Sequence, residues 1–244
     1  MDSSLRNNSL ARVPWRDLLL AGLGLAILLG LSRLSLGLPA LPLAVAGLLY
    51  AGLVLLLITG LAVSRSQFGP ADRITLSRAV LVLFLTSLTF QPGLLQQLIW
   101  PYALLCLAAL VMDGIDGYVA RRTGTASAFG ARFDMELDAF FILMLCLAVM
   151  VLGKAGPWVL LIGLMRYGFV MAGWHWKWLN HPLPESFRRK TVCVWQLVTL
   201  MVALLPLTPD LLARATLMLG LALLSWSFAI DTRYLFQQTR QGAS

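Results

Sequence analysis

Apolar runs too long for the core of a soluble domain constrain this chain more than any other feature. Residues 41–63 and 94–112 are almost unbroken aliphatic stretches, and a helix needs about 20 mostly apolar residues to cross the hydrocarbon of a bilayer. Charge is correspondingly scarce. Asp, Glu, Lys and Arg make up 12% of the 244 residues, against 59% hydrophobic, where a soluble domain carries roughly 25% charged residues. Too little polar surface remains to face water on all sides. Neither strand-like alternation nor an internal repeat is visible, so the expected fold class is all-α, a polytopic transmembrane helix bundle.

Turn residues and charges divide the chain into eight candidate spans, near residues 16–34, 40–63, 73–90, 94–120, 127–153, 156–178, 189–206 and 210–235. Most prolines fall near span ends, where a missing N–H costs least. Pro101 is the exception, and it predicts a kink in the fourth span. The first apolar run, Leu18 to Leu31, follows Arg6, Arg12 and Arg16 as a signal peptide's would. Its nearest A-x-A triplet, Ala44-Val45-Ala46, is embedded in the next apolar run, so a retained helix is expected. Cys106, Cys146 and Cys193 lie far apart inside apolar runs and read as small buried hydrophobes, without metal or disulfide spacing.

Orientation follows from the basic residues of the short loops. With the N-terminus inside, fifteen of them fall on the cytoplasmic side, among them Arg65, Arg73, Arg78, Arg132 and Lys177. Only Arg33, Lys154 and Arg214 fall on the far side, and Arg166 lies within a span. The asymmetry also favours an even number of crossings. The net charge of +8 therefore reads as attraction to an anionic inner leaflet, at about 1 kcal/mol per residue. A nucleic-acid surface is not expected, because the basic residues are divided among several loops. The stretch Trp174-His175-Trp176-Lys177-Trp178 reads as an interfacial aromatic belt.

Against this background the acids are conspicuous. Of eleven acidic residues, Asp113, Asp116, Asp134, Glu136 and Asp138 crowd into one segment. A carboxylate at mid-membrane costs roughly 2.5–3.5 kcal/mol on insertion scales, and Asp138 is expected a turn or two inside the hydrocarbon. At about 100° per residue, Asp113 and Asp116 differ by about 60° and share a helix face, and Asp134 and Asp138 differ by about 40° and stack one turn apart. Glu136 points about 200° away from Asp134 and reads as a salt-bridge or packing residue.

Two such pairs on neighbouring helices can converge on one polar cavity. Four anions at close range need positive charge between them, and hard divalent cations, Mg²⁺ or Mn²⁺, suit oxygen ligands. Pairing with Arg121, Arg122 and Arg132 at the interface accounts for one or two of these acids, not for four on matching faces. Gly117 and Ala120 lie on the Asp113 face, and Gly130 lies one turn before Asp134. They leave room either for a flat ligand at the backbone or for tight helix packing. Arg121 can hold a phosphate through a charge-assisted fork.

The segment reads DGIDGYVARRTGTASAFGARFDMELD, from Asp113 to Asp138. It resembles the signature of the CDP-alcohol phosphatidyltransferase family, D-x2-D-G-x2-A-R-x8-G-x3-D-x3-D, at Asp113, Asp116, Gly117, Ala120, Arg121, Gly130, Asp134 and Asp138. A looser similarity extends from about Pro70 to Phe236. Members often open the first core helix with N-x-x-T-x-x-R; Thr75 and Arg78 match, and Asp72 stands in place of the Asn. The resemblance implies a six-helix catalytic core over residues 66–244, with two extra N-terminal transmembrane helices in residues 1–65.

It also implies the chemistry. A phosphatidyl group would pass from CDP-diacylglycerol to a small alcohol acceptor with release of CMP, a step of phospholipid biosynthesis. Asp113, Asp116, Asp134 and Asp138 would hold two divalent cations, with Asp138 also the general base. Asp113, Gly117, Ala120, Arg121, Gly130 and Thr75 would line the CDP site. Membrane lipids and a homodimeric partner complete the implied surroundings, in the cell (inner) membrane with the site facing the cytoplasm. Arg166, Arg188, Arg189 and Lys190 read either as ligands of a phosphorylated acceptor of the glycerol 3-phosphate type or, for the cluster at 188–190, as topology anchors. A membrane transporter or ion relay built on the same carboxylates is the alternative.

Overall fold

A computed structural model describes residues 13–64, 68–123, 127–181 and 186–241. Arg6, Arg12 and Arg65 of the orientation argument lie outside the described residues, as do Pro182 and Pro184. Every regular element among the described residues is helical, and the chain divides into two compact units, the first ending at Asp138 and the second beginning at Ala139.

The first unit contains α1 (Trp15–Leu36), α2 (Ala40–Ser64), α3 (Pro70–Thr89), α4 (Pro92–Gln97), α5 (Ile99–Thr123) and the opening turns of α6 (Ala128–Val151). Helix α1 stops at Gly37, whose φ of 65° is left-handed and whose N–H returns to the Arg33 carbonyl, a conformation that glycine adopts without a Cβ penalty. Helix α3 begins with Pro70, where a missing N–H is harmless. Asp72 reaches back to the Gly69 N–H at 2.7 Å, the carboxylate half of a capping box.

Helix α3 packs against α1, α2 and α5, so it cannot keep a polar face outward. Fifteen of its twenty residues are buried. In its second half the hydroxyls are silenced locally: Thr86 donates to the Val82 carbonyl at 2.8 Å and Thr89 to the Leu85 carbonyl at 3.0 Å. The Tyr102 hydroxyl of α5 lies 3.0 Å from Thr89 Oγ1. Its first half contains Thr75 and Arg78, whose partners come from other helices. That difference positions the site.

The kink expected at Pro101 takes the form of a break. Helix α4 ends at Gln97, and α5 begins at Ile99. Pro101 lacks the N–H that would bond to the Gln97 carbonyl, and its ring crowds that same group, so the helix restarts with the proline in its first turn.

The second unit holds the rest of α6, a 3₁₀ turn (Pro157–Val159), α7 (Leu160–His175), a second 3₁₀ turn (Lys177–Asn180), α8 (Phe187–Leu204) and α9 (Asp210–Gln241). Helices α8 and α9 pack together. Lys154 Nζ donates to the Thr208 carbonyl and to Asp210 Oδ1, both at 3.0 Å, and Arg214 Nε donates to the Lys154 carbonyl at 3.2 Å. Cys106 and Cys146 are buried and Cys193 half-buried, all as free thiols. Trp174 is exposed, and Trp178 packs edge-on to Phe236 with ring centroids 5.7 Å apart.

Each of the eight expected spans falls on a helix or, for the fourth and sixth, on a helix with its short lead-in. Five are long and apolar enough to cross a membrane by length and composition: residues 15–36, 40–64, 99–123, 157–175 and 210–239. The other three, α3, α6 and α8, do not qualify, because charged residues interrupt their apolar stretches. Asp72, Arg73 and Arg78 lie on α3, Arg132, Asp134, Glu136 and Asp138 on α6, and Arg188, Arg189 and Lys190 on α8. The chain is a polytopic helical membrane protein.

Among the described glycines of the second unit, Gly163 is the most closely approached. A Cβ there would lie 2.6 Å from the Leu143 Cα, and backbone cannot step aside as a side-chain end can. Gly163→Ala should therefore cost about 1–3 kcal/mol as an overpacking change, read as a lowered thermal midpoint in detergent.

Candidate metal centre

Three helix segments meet at the site: the N-terminal half of α3, the C-terminal half of α5 and the first turns of α6. Asp113 and Asp116 project from one face of α5, as their spacing requires, and Asp134 and Asp138 from one face of α6. One carboxylate oxygen from each of Asp113, Asp116 and Asp134 lies within 4.8 Å of the other two. Asp138 stands outside that triplet and joins it through a shared partner.

That partner is Arg78 of α3, which is 1% exposed. Its Nη1 donates to Asp113 Oδ1 and lies 3.1 Å from Asp134 Oδ1 and 3.8 Å from Asp116 Oδ2. Its Nη2 donates to Asp138 Oδ1. Three residues earlier on the same helix, Thr75 Oγ1 is 2.8 Å from Asp116 Oδ2 and 3.2 Å from the Ala71 carbonyl. One hydroxyl and one guanidinium on α3 thus orient carboxylates from two other helices.

The donor set suits a hard cation. It consists of carboxylate oxygens, the ligand type that Mg²⁺ and Mn²⁺ take. Asp134 Oδ1 is buried and accepts no hydrogen bond, although Arg78 Nη1 lies 3.1 Å away, and a metal ion would supply the direct partner that buried polar groups usually have. The cluster can therefore bind a metal ion, through Asp113, Asp116 and Asp134.

Loop-charge counting places Arg78 on the cytoplasmic side, and the N-x-x-T-x-x-R pattern pairs it with Thr75; the structure sets it two turns inside α3 at the centre of the acids.

The small residues divide between the two readings left open for them. At Gly130 a Cβ would come within 2.5 Å of Asp72 Oδ1 and 3.2 Å of Ser127 Oγ, and the Gly130 N–H donates to Ser127 Oγ at 2.9 Å. Close approach of α3 fills that space. At Gly117 the nearest neighbour is Arg121 Nη1, 3.4 Å from a Cβ position, so the exposed Arg121 side chain folds back one turn over a bare backbone. Ala120 is half-buried beside it. Arg122 sits over the Tyr118 ring, 5.2 Å from its centroid.

Arg188 is otherwise engaged. Its Nη1 donates to the Ser227 carbonyl at 2.6 Å and to Ser227 Oγ, and its Nη2 pairs with Asp231 Oδ1 at 2.5 Å. Acids are scarce in the sequence around these cations, but Asp231, one turn after Ser227 on α9, answers Arg188 from a distant segment. These contacts tie α8 to α9. Arg166 is half-buried on α7, and on α8 Arg189 is half-buried and Lys190 exposed.

This fold and this cluster define a class that comparison identifies. Residues 68–226 match the CDP-alcohol phosphatidyltransferase family, and the chain belongs to it. The match begins at Phe68 and leaves α1 and α2 outside. A 55-residue stretch is 45% identical to a CDP-diacylglycerol–serine O-phosphatidyltransferase of Methanocaldococcus jannaschii. That stretch is 22% of this chain and spans 27% of the relative. No solved structure matches the chain. The transporter reading gains no support from any of this.

Gly130 offers a test of the α3–α6 contact. Gly130→Ala should drive Asp72 from its cap and cost about 1–2 kcal/mol. Combined with Asp72→Ala it should cost clearly less than the sum of the single changes, because both act at one contact. Thermal midpoints of the four proteins close the cycle.

Proposed function

We propose that this chain is a divalent-cation-dependent transferase that moves a phosphatidyl group from CDP-diacylglycerol to the hydroxyl of a small alcohol, with release of CMP. The observation that supports it most is the gathering of Asp113, Asp116 and Asp134 from two helices to within 4.8 Å. Membership of the family supplies the reaction class.

In this reading Asp113, Asp116, Asp134 and Asp138 would hold two cations, Mg²⁺ or Mn²⁺, which would supply Lewis-acid stabilisation of phosphoryl and leaving-group charge. Thr75 keeps Asp116 in its ligating rotamer. Arg121, exposed and folded over Gly117, is free to swing toward a phosphate of the CDP group, while Gly117 and Ala120 keep the α5 backbone open to it. Thr75 and Gly130 border the same site through α3 and the start of α6. Asp138 accepts the proton of the acceptor hydroxyl, whose oxygen attacks the phosphorus bearing the diacylglycerol as the bond to CMP breaks. Holding a membrane lipid and a soluble alcohol in line supplies much of the acceleration.

The reading extends to the setting. The protein acts in the cell (inner) membrane with the cluster toward the cytoplasm, assembles as a homodimer, and uses helices α1 and α2 as an addition to a core that starts near residue 66. Two acceptors come first. Serine is the one in the name of the relative, and glycerol 3-phosphate suits the basic residues Arg166, Arg188, Arg189 and Lys190.

The decisive experiment supplies purified protein with Mg²⁺ or Mn²⁺, CDP-diacylglycerol and a panel of alcohols that includes serine, glycerol 3-phosphate, inositol phosphate and choline. CMP release and a new lipid identified by mass are expected with one acceptor; no CMP with any of them rejects the transferase reading. Chelation by EDTA should abolish turnover, and re-addition of either ion should restore it. Asp138→Asn should lower turnover about 10²–10⁴-fold, the range of general-base catalysis, while CDP-lipid still binds. Unchanged turnover would remove Asp138 from that role.

A further inference from the structure

Arg78 is a buried charge that the transfer chemistry above does not employ. Its Nη1 reaches Asp113, Asp116 and Asp134, the same three carboxylates whose oxygens cluster within 4.8 Å. Its Nε is buried without a hydrogen-bond partner. A guanidinium built in as a permanent strut would use its full fork of donors. This one is held by charge at its tip and left unsatisfied at its neck.

We infer that Arg78 is the resident counter-ion of the aspartate cluster and a competitor for its cations, exchanging with the ion at Asp113, Asp116 and Asp134 when metal loads. The inference rests on the metal reading of the proposed function. With all four carboxylates ionised, the cluster and Arg78 together carry a net charge of −3, so the acids remain attractive to cations while the guanidinium stands in for them. Arg78 is a positioning residue. It keeps four like charges in register before loading and weakens the first cation's binding by occupying its ligands.

The test titrates Mn²⁺ into the full-length protein in nanodiscs without CDP-lipid, reading free Mn²⁺ by electron paramagnetic resonance. Arg78→Met should bind Mn²⁺ at least about tenfold tighter than wild type, since a like charge is removed from the ion's first neighbours. Its thermal midpoint in EDTA should fall well below wild type, with Mn²⁺ restoring most of the difference. Arg78→Lys, which keeps the charge, should stay near the wild-type affinity. Weaker or unchanged Mn²⁺ binding in Arg78→Met, with equal loss of stability in EDTA and in Mn²⁺, would make Arg78 a plain structural residue and overturn the inference. If Arg78→Met accumulates only when Mn²⁺ is supplied, the exchange is supported; if neither it nor Arg78→Gln accumulates even then, cations do not replace the guanidinium and the inference fails. Wild type that binds no Mn²⁺ would instead remove the metal reading itself, and binding without CMP release would remove only the transfer reaction.

Discussion

One guanidinium shared by four carboxylates is the interaction on which this structure turns. Charges buried in an apolar surround are tolerated only when paired and hydrogen-bonded, and none of the three helices supplies both signs at this place. Helix α3 brings Arg78, α5 brings Asp113 and Asp116, and α6 brings Asp134 and Asp138. Each helix is therefore an incomplete electrostatic object. Removing one partner from such a pair typically costs about 3–5 kcal/mol, because the other is left uncompensated. The first unit is held in register at its polar end by this requirement, and at its apolar end by the packing of α3 against α1, α2 and α5.

The same requirement explains where charge falls along the chain. The five helices that qualify as spans on composition alone can meet lipid over most of their surface. Helices α3, α6 and α8 contain the charged residues that other helices must answer. For α3 and α6 the answer is the aspartate–arginine cluster. For α8 it includes Asp231 and Ser227 of α9, which engage Arg188. Hydropathy alone does not mark the helices that hold buried charge, since α5 qualifies as a span and still supplies Asp113 and the buried Asp116.

Much of this is legible in the sequence. Helix positions follow from apolar length and turn residues, and the shared faces of Asp113 with Asp116 and of Asp134 with Asp138 follow from the helical repeat. Pro101 marks a disturbance, although it expresses itself four residues earlier, at the carbonyl the proline leaves unbonded. What spacing along one helix cannot reveal is which residue of a distant helix meets it. Arg78 lies 35 residues before Asp113 and 60 before Asp138, and the same holds for Arg188 with Asp231. Loop-charge rules assign both arginines to the cytoplasmic side without asking what they touch.

Asp72 shows how a departure from a family pattern can be structurally quiet. The side chain at this position must accept the Gly69 N–H at the head of α3, and both Asn and Asp offer a carbonyl-type oxygen for that. Its second oxygen sits over Gly130, where only the absence of a Cβ permits the approach. The motif glycine at 130 is consequently explained by a contact between helices. Asp72 adds a negative charge one turn before Thr75, on the edge of a cluster that already carries excess negative charge. A site with that balance favours cations over anions.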